Sequence, residues 1–227
     1  MKYLLLLCGL LFSVSTLAAS ASLTAVSDYR SFGRTNSEQN PALQGTLWFT
    51  HDSGFYFGNW ASTTDYGPTD DTIFEWDLYF GYQQKLNDNW SVDAGIAPYL
   101  LFGDAHSSDS NFFEFYSGLT YLDNTSLTAY YTPNYAGMDF KNYRLLLSHS
   151  FALPHDYKLG VNLAQVQAVG TNKRDWTPEH HYYQYGAISL AHDWFGLTWQ
   201  AVAMTTTINR TGEREALVLK ISKAWNF

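Results

Sequence analysis

Large apolar residues alternate with small or polar ones along most of the chain, and this alternation is the strongest structural signal in the sequence. Across 74–82, the even-numbered positions are all aromatic or leucine, whereas the positions between them are mostly polar or small. The same period of two recurs in 90–96, 127–131 and 217–227. Because successive side chains of a strand point to opposite faces, the pattern predicts strands with one apolar and one polar face.

Turn residues divide these segments into twelve predicted strands. An even number suits a bacterial single-chain membrane barrel, in which both chain ends lie on the same side. After the N-terminal segment, no stretch approaches the ~20 apolar residues that a spanning helix needs. The predicted strands are 22–32, 42–51, 55–63, 73–84, 90–101, 112–122, 126–135, 141–151, 157–169, 181–192, 196–207 and 214–227.

Short and longer connections between the predicted strands tend to alternate, as short periplasmic turns and longer outer loops do in membrane barrels. The sequence therefore predicts an all-β fold, a transmembrane antiparallel up-and-down β-barrel of about twelve strands. Residues 33–41 are expected to form one of the polar outer loops. A closed barrel has no edge strand to hold a proline, so we place Pro98 and Pro133 at bulges near the outer rim.

The first residues of the chain have the pattern of a cleaved secretory signal peptide. A short basic start precedes the apolar run from Leu4 to Val14, and Ala19-Ser20-Ala21 is an A-x-A-like cleavage site. We assign residues 1–21 to the signal and 22–227 to a single barrel domain. The only cysteine is Cys8, inside this run, so the mature chain is expected to fold without disulfides.

Composition narrows the choice of partners. Aromatic residues make up 18% of the chain and the formal net charge is -8. A negative chain without a basic patch argues against a nucleic-acid partner, whereas abundant Tyr and Trp suit the two interfacial girdles of a membrane barrel. The bacterial outer membrane is the predicted location, with its lipids and lipopolysaccharide as surroundings.

The end of the chain carries a predicted assembly signal. Leu217, Leu219 and Ile221 share one face of the last predicted strand, and the chain ends at Trp225 and Phe227. A terminal phenylalanine on an amphipathic strand resembles the element by which outer-membrane barrels engage the barrel assembly machinery. That machinery is therefore an expected partner.

Several short segments resemble the TorF-like porin family. They are Ser27-Asp28-Tyr29-Arg30, Asn40-Pro41-Ala42-Leu43-Gln44-Gly45, Ser53-Gly54-Phe55-Tyr56, Trp60-Ala61-Ser62 and Asp77-Leu78-Tyr79-x-Gly81-Tyr82. The resemblance extends over the mature chain and implies an outer-membrane barrel that acts as a channel. It brings no catalytic motif. The run Arg30-Ser31-Phe32-Gly33 departs from an Arg-Phe-Arg-Gly-like segment of the family, which removes one basic residue.

Two chemical alternatives depend on histidines in the predicted outer loops. His106 and Ser108 have the spacing of an outer-membrane lipid hydrolase, but no neighbouring strand fixes them for nucleophile activation. Glu179, His180 and His181, together with Asp104 and His106, contain residue types that bind divalent metals. Adjacent histidines point apart on a strand, so we interpret them as solvated loop residues. No catalytic residue, metal or other cofactor is predicted.

The polar face of the predicted strands carries charged residues that we assign to the lining of a pore. A polar interior with an apolar exterior is the inversion that lipid demands. The leading hypothesis is a porin-like channel for small polar solutes, and the alternative is a non-conducting structural or adhesive barrel, since twelve strands lie between filled and open barrels. The predicted pore-lining residues are Glu75, Asp77, Asp93, Glu114, Arg144, Lys158 and Lys220.

Overall fold

The computed structural model describes residues 17–68, 70–103, 107–173, 175–178, 180–210 and 212–227. Twelve strands close into one antiparallel barrel, which confirms the predicted fold class. Two further strands form a small hairpin. The strands are β1 (Leu17–Val26), β2 (Arg30–Ser31), β3 (Arg34–Thr35), β4 (Ala42–His51), β5 (Phe55–Thr63), β6 (Phe74–Lys85), β7 (Trp90–Phe102), β8 (Phe112–Tyr121), β9 (Thr125–Thr132), β10 (Lys141–Ala152), β11 (Tyr157–Val169), β12 (Tyr182–Trp194), β13 (Leu197–Thr206) and β14 (Glu215–Asn226).

Each wall strand pairs with its neighbours along the chain, and β1 closes the barrel by pairing with both β4 and β14. The connections 52–54 and 195–196 are typical of the short ones, which all lie at the barrel end that carries the chain termini. By the rule for membrane barrels, this is the periplasmic end and the opposite end is the outer end. Among the described residues, no helix is long and apolar enough to cross a membrane.

The side chains of the wall divide between two environments as the alternation predicts. On β6, Phe74, Trp76 and Phe80 are exposed on the outside, whereas Glu75 and Asp77 are buried on the inside. Because lipid solvates apolar side chains and not charges, an apolar exterior around a polar interior identifies a membrane-spanning wall. Other exposed apolar residues of this outer surface are Leu23, Leu47, Phe115, Leu127, Leu147, Leu163, Ile188, Leu217 and Leu219.

The largest error in the predicted boundaries is in the first strand. Its prediction was 22–32, but β1 ends at Val26 and residues 27–41 leave the wall. Local side-chain contacts explain the change, because Asp28 accepts hydrogen bonds from Thr35 and Ser37 and binds Arg30. Such bonds give the backbone an alternative to the sheet.

The predicted bulges at the two prolines are wrong. Pro98 lies inside β7, and the β6–β7 pairing is interrupted beside it at Leu78 and Tyr79. The register is the same on both sides of this gap, so no residue has been inserted. Pro133 follows the last residue of β9 and lies outside the wall. A proline has no backbone N–H to donate to the sheet. At Pro98 the barrel lacks that hydrogen bond, and at Pro133 the strand has already ended.

The predicted signal peptide lies mostly outside the described residues, which begin at Leu17. Residues 17–21 form the first half of β1 and pair with β4 and with the end of β14. The Phe227 amide donates a hydrogen bond to the Ala19 carbonyl at 2.8 Å. The exact cleavage site therefore decides how much of this closing seam the mature barrel keeps, and it stays a prediction.

Candidate functional site in the barrel lumen

Residues 27–41 fold into the lumen, and we call this segment the inward loop. Its β2–β3 hairpin carries Phe32 at the turn, where the ring centroid lies 5.8 Å from that of Tyr130 and 6.3 Å from that of Tyr185. Tyr130 belongs to β9, which lies six strands from β1 in either direction around the barrel. The loop therefore crosses the full width of the lumen.

Hydrogen bonds and one close approach fix the shape of the inward loop. Arg30 donates to the carbonyl oxygens of Gly33 at 2.8 Å and Gly212 at 2.6 Å. Gly33 has a φ of +85°, and a Cβ built on it would lie 2.2 Å from Cγ2 of Thr206. Only glycine combines this backbone conformation with that contact.

One wall of the outer half is apolar, and the inward loop packs against it. Small apolar side chains of β12, β13 and β14, namely Ala187, Val202 and Val218, form a buried cluster with Tyr29 of the loop. A second apolar cluster at the outer end contacts Phe32. Burial of these surfaces stabilises the docked loop by roughly 25 cal/mol per Å² of apolar area. The lumen is thus less uniformly polar than the sequence analysis expected.

The opposite wall carries three buried carboxylates, Glu75, Asp77 and Glu114, which we call the acidic layer. Its members are 4%, 2% and 1% exposed. Tyr29 and Tyr66 donate hydrogen bonds to Glu75 at 2.9 and 3.4 Å. Burial and the nearby Glu75 carboxylate raise the pKa of Tyr29, so this loop hydroxyl remains a donor at neutral pH.

Tyrosine hydroxyls also bind the other two carboxylates of the acidic layer. Tyr79 donates to Asp77 Oδ2 at 3.3 Å, and Tyr99 donates to Glu114 Oε1 at 2.9 Å. The second Asp77 oxygen, Oδ1, has no hydrogen-bond partner within the described part of the chain. This leaves one carboxylate oxygen buried without compensation, which costs free energy.

Arg144 is the cation of the acidic layer. Its guanidinium forms an ion pair with Glu114 and lies 4.4 Å from the Phe32 ring centroid and 5.0 Å from that of Tyr130. Three carboxylates therefore face one guanidinium. Since cation–π contacts with arginine contribute ~0.5–2 kcal/mol, the tip of the inward loop is anchored by Arg144.

The periplasmic half of the lumen is built differently. Tyr56 donates a hydrogen bond to Asp93 at 2.7 Å and accepts one from Tyr116 at 2.7 Å. Gly81 and Gly95 face each other across β6 and β7 beneath these rings. A Cβ on either glycine would lie 2.3 Å from a tyrosine, so the absent side chains make room for the rings.

The predicted pore-lining residues fall into one group and three separate positions, all on the lumen face. Glu75, Asp77, Glu114 and Arg144 lie together at the acidic layer. Asp93 lies with the tyrosines of the periplasmic half. Lys158 is exposed near the periplasmic end of β11, and Lys220 is half-buried on β14. The ion pair of Arg144 with Glu114 joins β10 to β8 across the intervening strand β9.

The predicted assembly residues Trp225 and Phe227 lie at the periplasmic end of the barrel and are 43% and 77% exposed.

Tyr29, Phe32 and Arg34 lie in the lumen, although the strand pattern did not predict them there. The sequence does carry a sign of this position: the segment contains two aromatic residues and two arginines, although part of it was predicted to be a polar loop. Arg34 donates to the Tyr135 hydroxyl at 3.3 Å.

The structure gives little support to the hydrolase and metal-site hypotheses that depend on histidines. Asp104, His106 and Glu179 lie outside the described residues, and with them the hydrolase spacing and part of each metal hypothesis. His180 stacks on Tyr182 with centroids 4.8 Å apart, and His181 contacts Asp175. In the described ranges, no three His, Cys, Asp or Glu side chains lie close enough together to hold a metal ion.

Comparison with solved structures identifies barrels of the same fold. The KdgM porin in complex with disordered oligogalacturonate is 14% identical, with a TM-score of 0.54, and the match covers 92% of this chain and 99% of that one. The NanC porin is 13% identical, with a TM-score of 0.56 and coverage of 92% and 98%. LpxR from Salmonella typhimurium is 9% identical, with a TM-score of 0.50 and coverage of 92% and 100%.

Sequence comparison identifies a bacterial family. A family model described as "Bacterial protein of unknown function (Gcw_chp)" matches residues 13–219. No curated protein sequence matches the chain. The porin barrels share its fold at identities that carry no functional detail.

Proposed function

The chain belongs to the Gcw_chp family of bacterial proteins, and we propose that it is an outer-membrane channel for small polar solutes, narrowed by the inward loop. The TorF-like group remains our suggestion for its nearest relatives. The lipid-facing apolar surface and the shared fold with porins support an outer-membrane location. The proposal assigns no catalytic residue and no cofactor.

One observation carries the proposal. The outer half of the lumen is closed by a loop, rather than by side chains of the wall alone, and a loop can move without breaking the ladder of the barrel. Phe32 and Tyr29 reach the far wall and the acidic layer through side-chain contacts. Displacement of this segment opens a path lined by Glu75, Asp77 and Glu114.

The acidic layer sets the charge preference of that path. Three carboxylates against one guanidinium, within low-dielectric walls, produce a stronger field than the same charges in bulk water. Such a constriction opposes free anions and admits neutral, zwitterionic and cationic solutes. Oligogalacturonate, named with the KdgM porin, is a polyanion, so we do not extend that solute to this chain.

A non-conducting structural barrel is the second candidate, and a specific observation favours it. Ala97 and Glu114, on the lumen face of the outer half, are 0% and 1% exposed. The outer half is therefore packed as a closed plug in this conformation. Outer-membrane lipids and lipopolysaccharide surround the barrel under either candidate, and the barrel assembly machinery is the expected partner in its insertion.

Releasing the inward loop tests the two candidates against each other. Phe32→Ala removes the ring that contacts Tyr130 and the Arg144 guanidinium at the far wall. Phe55→Ala is the matched control, because this ring lies on the outer surface of the barrel and is 64% exposed. We expect Phe32→Ala to conduct more than the wild type in planar bilayers and Phe55→Ala to conduct as the wild type does.

Two outcomes contradict the channel proposal. Wild-type protein that is heat-modifiable on a gel but electrically silent is a structural barrel. A Phe32→Ala variant that conducts as the wild type does shows that solute does not pass the inward loop. Glu75→Lys adds a test of selectivity, because it places a positive charge in the acidic layer. Reversal potentials in a salt gradient should shift toward anions.

A further inference from the structure

A small cavity lies beside the base of the inward loop, against β4, β5 and β14. Its volume is about 170 Å³, which is room for several water molecules or one small solute. Tyr29 and Arg30 of the inward loop cover one side of it, and Gln44, Trp60 and Lys220 belong to the barrel wall. These three wall residues are only half-buried, so we infer that the cavity opens toward the rest of the lumen.

Lys220 is the charge of this cavity that has no counter-charge. Within the described residues, its ammonium group takes part in no hydrogen bond or ion pair. The carboxylate of Asp28, which also lines the cavity, is already occupied by Arg30, Thr35 and Ser37. A half-buried ammonium group without a partner loses solvation and gains nothing in return. The cavity therefore has an unused binding capacity for an anionic group.

The remaining wall of the cavity suits the uncharged part of a ligand. The Trp60 indole lies with its centroid 5.1 Å from that of Tyr29, and Met204 and Val218 supply apolar surface nearby. The Gln44 amide makes one long bond, to Ser62 at 3.4 Å, and keeps hydrogen-bonding capacity. A flat or compact hydrocarbon group packs well on such a surface.

The acidic layer restricts which anionic solutes reach the cavity. Its nearest member, Glu75, is linked to the cavity through the Tyr29 hydroxyl. A solute with only negative charge is repelled by these carboxylates, whereas a zwitterion is not. The two charged regions of the lumen therefore select together for a solute that carries both signs.

We propose that this cavity binds a small zwitterionic solute, whose carboxylate pairs with Lys220 and whose hydrocarbon part packs on Trp60. The inference rests on the proposed channel, because it places the site on the path of the solute through the barrel. It names the class of solute, small amino-acid-like zwitterions, that the channel selects.

Equilibrium binding to the refolded full barrel in detergent tests the site. L-proline is the probe, and L-prolinamide, which lacks the carboxylate, is its control. We expect proline to bind and prolinamide to bind at least tenfold more weakly, since charge-assisted hydrogen bonds are among the strong ones. Lys220→Met should lose the proline affinity by a similar factor, and Lys220→Arg should retain most of it.

Lys85→Met is the matched control, because it removes another ammonium group, which is exposed at the periplasmic end of β6 and lies outside the cavity, and it should bind proline as the wild type does. Trp60→Leu should weaken both ligands together. Equal binding of proline and prolinamide, or unchanged proline binding by a correctly folded Lys220→Met barrel, overturns the proposal. Cyclopentanecarboxylate has the carboxylate and the ring but lacks the amine of proline. If it binds more tightly than proline, the preference for a zwitterion is overturned.

Failure of this inference and failure of the channel are separable. The binding measurement does not depend on conductance. A barrel that binds proline through Lys220 but conducts nothing keeps the site and rejects the channel. A conducting barrel whose proline binding ignores Lys220 keeps the channel and rejects the site.

Discussion

The outer and periplasmic halves of the same lumen use polar residues in opposite ways. In the outer half, Glu114 and Arg144 are paired and buried beneath the inward loop. In the periplasmic half, Asp93 accepts a hydrogen bond from the Tyr56 hydroxyl and stays partly exposed. The wall is a uniform barrel, whereas the lumen is closed where a loop meets buried charges.

The largest expected difference between the halves is in stability. Glu114→Gln leaves the Arg144 guanidinium buried without its ion-pair partner, and breaking a buried pair in this way costs about 3 to 5 kcal/mol. Asp93→Asn keeps an acceptor for the Tyr56 hydroxyl and only weakens this one bond in a half-exposed site, so it should cost about 1 kcal/mol or less. Urea titration of both variants in lipid bilayers measures the two losses, and equal losses would show that the halves do not differ.

The sequence predicted the strands of the wall well, because alternate residues of each strand face lipid and lumen and their polarity follows that environment. In β6, Trp76 and Asp77 give the lipid and lumen faces directly. The inward loop has no such period. Its position depends on contacts between segments far apart in sequence, such as Phe32 with Tyr130 and Gly33 with Thr206, and these follow only once the barrel has closed.

The candidate site was predictable in part for the same reason. All seven predicted lumen charges lie on the lumen face, because that face follows from the strand period. Their pairing did not follow. Glu114 contacts Arg144 across β9, and the strand period tells which face a residue occupies but not which charge on another strand it meets. The small residues of the apolar wall, such as Ala187, gave no sign that a loop packs against them.

A second prediction concerns the boundary between the two halves, on the two faces of one strand. Leu78→Arg places a charge on the lipid face near mid-membrane, at a cost of about 2 to 4 kcal/mol. Tyr79→Arg places the same charge in the lumen beside Asp77, where opposite charge offsets the lost ring contacts. Folding from urea into bilayers should therefore separate the two variants. Indistinguishable stabilities would contradict the assigned faces of β6.

A third prediction probes the packing of the periplasmic half. Gly81→Ala puts a methyl group 2.3 Å from Tyr56, and overpacking of this kind costs about 1 to 3 kcal/mol. Gly45→Ala makes the same change where the nearest atom is 3.8 Å away, so it should stay within about 0.5 kcal/mol of the wild type. Thermal unfolding in detergent measures both. A tolerated Gly81→Ala would mean that Tyr56 is free to move away.

The smallest expected effect on stability lies at the periplasmic end, where the consequence should be seen in assembly instead. The Phe227 side chain is 77% exposed, and the partner of its backbone amide, Ala19, lies within the predicted signal. Phe227→Ala removes a ring that is mostly exposed, so the unfolding free energy should change by about 0.5 kcal/mol or less, as for other surface substitutions. If the terminal ring is an assembly signal, the amount of heat-modifiable barrel in the outer membrane should nevertheless fall. Phe195→Ala is the matched control, because this ring is also exposed at the periplasmic end, at 84%, but lies in a turn. Equal amounts of the two variants in outer-membrane fractions would show that the terminal position of Phe227 has no special role, whereas a selective loss of Phe227→Ala ties the end of β14 to recognition during insertion.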